Sequence, residues 1–289
     1  MKVKVKSCIL NSTANIGGEF MQAITKITRQ KNNQERYNIY VNEQYSFAVD
    51  ENTLIKFGLQ KGKVLEQFEI DEIQYEDEIA KAFNKGLSFL SFQMRSEHEV
   101  KQRLLQAGHG EAVVQEALHK LTRLGFLNDE SFSKALLETR KRTAKKGPAA
   151  IRQDLIQKGI DKSLQQQVLS TFSHDEQLKI ATELAEKAVR SNSNKTPAQV
   201  KQKIQDVLLR KGYSYSVVSE VLDHIKLEKQ GDEWSDLIEA QGEKVWRKYS
   251  AKFAGFELYQ KVKQSLYQKG FPIDVINEFI EQKEQQQNE

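Results

Sequence analysis

Residues 151–160 read Ile151-Arg152-Gln153-Asp154-Leu155-Ile156-Gln157-Lys158-Gly159-Ile160, and this stretch decides the fold because its apolar frame occurs four times. The frame is centred on Gly108, Gly159, Gly212 and Gly270. Eight residues before each glycine stand Val100, Ile151, Ile204 and Val262, and four before stand Leu104, Leu155, Leu208 and Leu266. Beyond the glycine, position plus five reads Val113, Leu164, Val217 and Val275. Plus nine reads Ala117, Val168, Val221 and Phe279, and plus ten reads Leu118, Leu169, Leu222 and Ile280. All twenty positions are apolar in a chain that is only 38% hydrophobic, so the chain contains a repeat.

Apolar residues four apart mark one face of an α-helix, and a glycine just past them marks its C-terminal stop. Each glycine therefore joins two helices. The glycines are 51, 53 and 58 residues apart, longer than two-helix solenoid repeats of about 33–47 residues, so each unit needs a third helix. The segments opening on Asp77-Glu78, Asp129-Glu130, Asp175-Glu176 and Asp232-Glu233 supply it. An aspartate there accepts from free amides of the first turn, and the glutamate favours the positive end of the helix dipole. The expected architecture is mainly α: tandem three-helix repeats in an elongated, curved array, each burying its apolar face against its neighbours. The units are set at 75–128, 129–174, 175–231 and 232–289.

Residues 21–74 follow another period. Ile24 and Ile27, then Tyr37, Ile39 and Val41, then Tyr45, Phe47 and Val49 alternate as strands do. Asn42, Glu43 and Gln44 stand where a hairpin would turn. This predicts a small N-terminal antiparallel β-hairpin module, closed by a short helix near Thr53 to Phe57 and too small to stand without the first helical unit. Residues 1–20 lack periodicity and are read either as a disordered extension or as sequence upstream of a true start at Met21.

The single cysteine, Cys8, excludes an internal disulfide framework. No apolar run approaches the roughly 18 residues of a membrane span, and the basic start is followed by too polar a stretch for a signal peptide. A cytoplasmic protein is expected, with no membrane association. Catalytic motifs are missing too. Gly58 to Val64 has three residues between its glycines where a phosphate loop has four, and Val64 where Ser or Thr would hold magnesium. His98, His109, His119, His174 and His224 form no pair at metal spacing and are read as surface residues. No catalytic residue, metal site or cofactor is assigned. Among the aromatic residues, Tyr213, Tyr215, Trp246, Tyr249, Phe253 and Phe256 could stack nucleic-acid bases, but core packing is the stronger reading, since Tyr213 follows a repeat glycine, as Phe271 does, and Trp246, Tyr249 and Phe253 recur at helical spacing.

The net charge of +4, from 44 basic and 40 acidic residues, is uneven. From Lys134 to Lys158 eight basic residues face two acidic ones, Glu138 and Asp154. A solvated helix end would explain such a cluster. Its concentration also makes Arg140, Lys141, Arg142, Lys145, Lys146, Arg152 and Lys158 candidate contacts for phosphates or an acidic partner. Reversing Arg140, Arg142 and Lys146 together is expected to weaken such contact without unfolding the chain.

The helical units carry a more specific signal. Ser96, Glu99, Val100, Arg103, Leu104 and Gly108 stand in order with Leu121, Gly125, Phe126, Leu127, Asn128, Asp129 and Phe132. Gly147, Pro148, Ile151, Leu155, Lys158, Gly159 and Ile160 follow. In these runs the chain resembles the RecX family, bacterial regulators of the RecA recombinase. The likeness extends more loosely from Met21 to the end. The segment before Met21 has no counterpart, and the fourth repeat is an addition relative to short members with three. The resemblance implies a protein that is not an enzyme and acts on the RecA filament on single-stranded DNA; separately, a monomer is expected. It would lie in the filament groove or at the growing end and restrain ATPase and strand exchange, with contact to DNA phosphates open. An autonomous nucleic-acid-binding protein and a helical interaction scaffold remain the alternatives.

Overall fold

A computed structural model of the chain describes residues 22–229 and 231–288. The expectations for residues 1–20, Cys8 and a start at Met21 lie outside the described residues. The chain divides into two compact units, one ending at Asn128 and the other beginning at Asp129.

The first unit opens on strands β1 (Gln22–Arg29), β2 (Arg36–Val41), β3 (Gln44–Asp50) and β4 (Val64–Leu65), antiparallel in the order β3-β2-β1-β4. Val41 pairs with Gln44, and the two residues between them, Asn42 and Glu43, both have positive φ. That is the mirror-image two-residue turn whose twist matches the strands. Helix α1 (Glu51–Lys56) follows, capped by Asp50, whose carboxylate accepts from the Thr53 amide at 2.7 Å. Period-two alternation puts Ile39, Val41, Phe47 and Val49 on one buried face, and Ile70 and Ile73 of helix α2 (Gln67–Leu90) close it.

Helix α2 corrects one expectation. Asp77-Glu78 does not open the first helix of the helical unit; the helix starts ten residues earlier, on a capping box between Glu66 and Glu69. Asp77 lies buried in mid-helix. Its carboxylate accepts both Arg36 guanidinium nitrogens at 3.1 and 2.8 Å, the Asp50 amide at 3.1 Å and Lys81 at 3.0 Å. Its charge is used to bind a strand, not to cap a helix. A single helix about 36 Å long thus has one end in the sheet core and the other, at Ala82, in the core of helices α3 (Glu97–Gln106) and α4 (Glu111–Arg123).

The second unit contains α5 (Asp129–Thr139), α6 (Pro148–Gln157) and α7 (Lys162–Ser170), then α8 (His174–Arg190), α9 (Pro197–Lys211) and α10 (Tyr215–His224). It ends with α11 (Gly231–Ser250), α12 (Gly255–Gln268) and α13 (Ile273–Asn288). With α2, α3 and α4 these make four three-helix units, and the fold is mainly helical with a small antiparallel sheet in front. No helix among the described residues is long and apolar enough to cross a membrane.

The glycine frame marks the second helix of every unit, and its chemistry is the same four times. Gly108, Gly159, Gly212 and Gly270 have φ of 89°, 71°, 89° and 84°. Each glycine amide donates three residues back, to Leu105, Ile156, Leu209 and Tyr267, at 2.9 Å. The next residue donates five back, to the carbonyl of the frame leucine: His109 to Leu104, Ile160 to Leu155, Tyr213 to Leu208 and Phe271 to Leu266, at 3.1–3.3 Å. This paired pattern needs a left-handed residue at the glycine and favours an apolar residue after it. Ile160, Tyr213 and Phe271 are accordingly buried. Leu104, Leu155, Leu208 and Leu266 have no exposed surface. Truncating Leu155 to alanine is expected to cost about 2–5 kcal/mol, read as a lower urea midpoint; a change below 1 kcal/mol would mean the site is not core.

Core packing holds for Tyr213 and Trp246, which are buried, and for Tyr249 and Phe253, packed at the core edge. It fails for Tyr215 and Phe256. Both stand in the first turn of their helices, on the side away from the core, and are exposed.

Candidate partner-binding surface

The basic stretch Arg140 to Lys146 is where α5 ends. The helix widens into a π-helical turn, Arg140–Ala144, and stops at Lys145, a non-glycine residue with φ of 49°. Such a backbone persists where its surroundings fix it, and here α9 does so. Lys211 donates through Nζ to the Ala144 carbonyl at 2.8 Å, and the Tyr213 hydroxyl donates to the Lys145 carbonyl at 3.2 Å. Burial pushes the Tyr213 phenol well above the usual tyrosine range, so it remains a donor. The Gly147 and Ala149 amides donate to the carbonyls of Lys211 and Gly212 at 2.8 and 3.1 Å.

This contact is a joint, and it recurs. The start of α6, Gly147-Pro148-Ala149-Ala150, sits on the glycine stop of α9. The start of α9, Thr196-Pro197-Ala198, sits on the stop of α12, where Thr196 donates to the Lys269 carbonyl. A Cβ built on Gly212 would lie 2.4 Å from the Ala150 nitrogen, and one on Gly270 2.5 Å from the Ala198 Cβ. Sequence reasoning missed this joint although the signal was present. Two of the three prolines, Pro148 and Pro197, stand at the first positions of frame helices, where proline's fixed φ suits a helix start.

The seven predicted contact residues do not form one open patch. Arg140 and Lys146 both grip Asp154 of α6, Arg140 through Nε at 2.7 Å and Lys146 at 2.8 Å to each carboxylate oxygen. Lys141 is buried between Glu138 and Glu176, at 2.7 and 2.6 Å, over the ring of Phe172. Desolvation lowers its affinity for a proton, but hydrogen bonds to the two glutamates outweigh this and hold the ammonium above the usual lysine range. Lys145 pairs with Glu183, whose carboxyl it holds below the ordinary range. Lys158 is half-buried at the end of α6. Arg142 and Arg152 are exposed and make no ion pair among the described residues.

The expectation that reversing Arg140, Arg142 and Lys146 would spare the fold is corrected by this geometry. Two of those reversals would set new carboxylates against Asp154. Five of the eight cations in the stretch, Lys134, Arg140, Lys141, Lys145 and Lys146, pair with carboxylates of α5, α6 and α8, and Glu176 and Glu183, which neutralise Lys141 and Lys145, lie 35 and 38 residues downstream of them.

The Regulatory protein RecX N-terminal domain matches residues 22–66, the sheet module. The first and second RecX three-helix domains match residues 82–121 and 128–169. The chain belongs to the RecX family. The third RecX three-helix domain matches twice, at residues 175–222 and 232–280, so the third and fourth units are of one type. Among curated relatives, Regulatory protein RecX of Bacillus licheniformis is 40% identical, over 91% of this chain and all of its own. That of Bacillus subtilis is 39% identical with the same coverage. Among solved structures, a regulatory protein RecX is 36% identical with a TM-score of 0.62, over 70% of this chain and all of that one. RecX from Lactobacillus salivarius is 31% identical with a TM-score of 0.50, over 52% of this chain.

Proposed function

We propose that this protein binds the RecA filament on single-stranded DNA and restrains its ATPase and strand exchange, and so acts on recombination, DNA repair and the SOS response. The likeness to a named RecX regulator along its whole length carries the reading. It acts in the cytoplasm, as a monomer, by contact and not by catalysis. A run of similar three-helix units offers the same kind of surface repeatedly, which suits a partner that is itself a repeating polymer.

Of the seven candidate contact residues, Arg142 and Arg152 are the ones positioned to serve a partner, because their charge is not taken up within the fold. Arg140, Lys141, Lys145 and Lys146 act by holding the segment that carries them.

The deciding measurement is the single-stranded-DNA-dependent ATPase rate of the cognate RecA as this protein is added, with DNA in excess. Inhibition is expected well below one molecule per RecA protomer. An effect seen only when the DNA is saturated, or no effect, would overturn the proposal. Arg142→Glu with Arg152→Glu is expected to raise the concentration for half-inhibition about tenfold, as losing two charge-assisted contacts would. An unchanged value would remove these residues from the contact.

A further inference from the structure

The stretch from Lys244 to Lys269 holds seven basic residues, Lys244, Arg247, Lys248, Lys252, Lys261, Lys263 and Lys269, and one acidic residue, Glu257. Its excess equals that of the Lys134 to Lys158 stretch, but its chemistry is opposite. None of these seven cations makes an ion pair among the described residues. Lys248 and Lys261 lie over the rings of Tyr249 and Phe253, and Lys263 donates to the Asn277 side chain at 2.9 Å. Uncompensated like charge raises the energy of the folded state, and a polyanion would relieve it.

The joint between α9 and α12 collects part of this charge in one place. A cleft of about 770 Å³ runs between α9, α11 and the end of α12. Lys195, Lys203, Lys244 and Lys269 line it, with Asp206 as its carboxylate and Asn194, Gln199, Gln202 and Gln241 as neutral polar groups. The walls are fixed by the joint itself. Gln199 and Gln241 bond each other at 3.4 Å, Gln241 donates to the Asn194 carbonyl at 3.0 Å, and Gln202 donates to Asp206 at 2.9 Å. Gln268 also lines it, and Tyr267, its neighbour in the chain but outside the lining, exposes 66% of its surface.

We infer that this cleft is a binding site for single-stranded nucleic acid, its lysines taking successive backbone phosphates and Tyr267 offering a face for one unstacked base. Ammonium groups without carboxylate partners release counterions on meeting phosphates, which drives such binding. An exposed ring next in the chain to a lining residue is the kind of stacking platform that distinguishes an open strand from a duplex. The site belongs to the joint of the third and fourth units, and it needs no recombinase.

The test is binding of a labelled oligothymidylate to the full chain across a salt series, with the recombinase absent, so that it stands or falls apart from the filament proposal. Replacing Lys203, Lys244 and Lys269 with glutamine is expected to reduce the log–log salt slope by about 2. At 0.1 M salt the affinity is then expected to fall roughly 100-fold. Arginine at the same three positions should restore slope and affinity, since charge and not the lysine stem is required. Loss in the arginine variant as well would mark the residues as structural and overturn the site. Equal loss from Arg142→Gln with Arg152→Gln would place the strand elsewhere. Binding of a duplex as tight as of the strand would refute the single-strand assignment, and equal displacement by polyglutamate would assign the cleft to an acidic protein surface.

Discussion

Alanine in place of Gly212 is expected to destabilise the second compact unit by about 2–5 kcal/mol, whereas alanine in place of Gly108 costs about 1–2 kcal/mol. Both glycines have φ of 89° and both close the same helix-stop motif, so the backbone strain of an added side chain is shared. The surroundings are not. A Cβ at Gly108 meets nothing within 4 Å, while one at Gly212 meets the backbone nitrogen of Ala150 at 2.4 Å and its Cβ at 2.7 Å. Neither neighbour is a flexible chain end, so the start of α6 must move and its bonds from Gly147 and Ala149 must stretch. Urea midpoints of the two variants measure the difference. Hydrogen exchange places it, with faster exchange expected at the Gly147 and Ala149 amides in the Gly212 variant alone. Equal costs at the two sites would show that the joint yields freely.

Removal of Asp77 is the second large effect. Asp77→Ala is expected to cost about 3–5 kcal/mol, because it leaves the mostly buried Arg36 guanidinium with the Ala48 carbonyl alone and deprives the Asp50 amide of its acceptor. The loss should appear in the sheet and α2, with the second unit's transition unchanged. Asp77→Leu combined with Arg36→Met should recover much of the loss, since an apolar pair leaves no charge uncompensated. A double variant as unstable as Asp77→Ala would mean that shape, not charge pairing, holds strand to helix.

These two sites also explain what the sequence could and could not disclose. The glycine frame was legible because its requirements are local: a left-handed stop, a leucine four residues back, and an apolar residue after three of the four glycines. The hairpin was legible from period two. Asp77-Glu78 misled because the same dipeptide stands in the first turn of α5, α8 and α11, while its partner Arg36 lies 41 residues away on a strand. The glutamate that caps the real start is a less usual cap than Ser, Thr, Asp or Asn.

The basic stretch misled for the same reason. A count along the chain registers Arg140, Lys141, Lys145 and Lys146 as free charge, although Asp154, Glu138, Glu176 and Glu183 neutralise them across turns and units. The stretch from Lys244 to Lys269 was equally visible by composition. What separates the two is pairing, a property of the fold.

The joint of helix start on helix stop carries a consequence for how such chains lengthen. Pro148 and Pro197 begin the helices that dock, and Gly212 and Gly270 end the helices that receive them. The α9 segment has both parts, a plug at Thr196-Pro197-Ala198 and a socket at Gly212. A duplicated gene segment encoding such a unit carries both halves of the joint and so inserts in register. Array length can then vary among descendants one whole unit at a time.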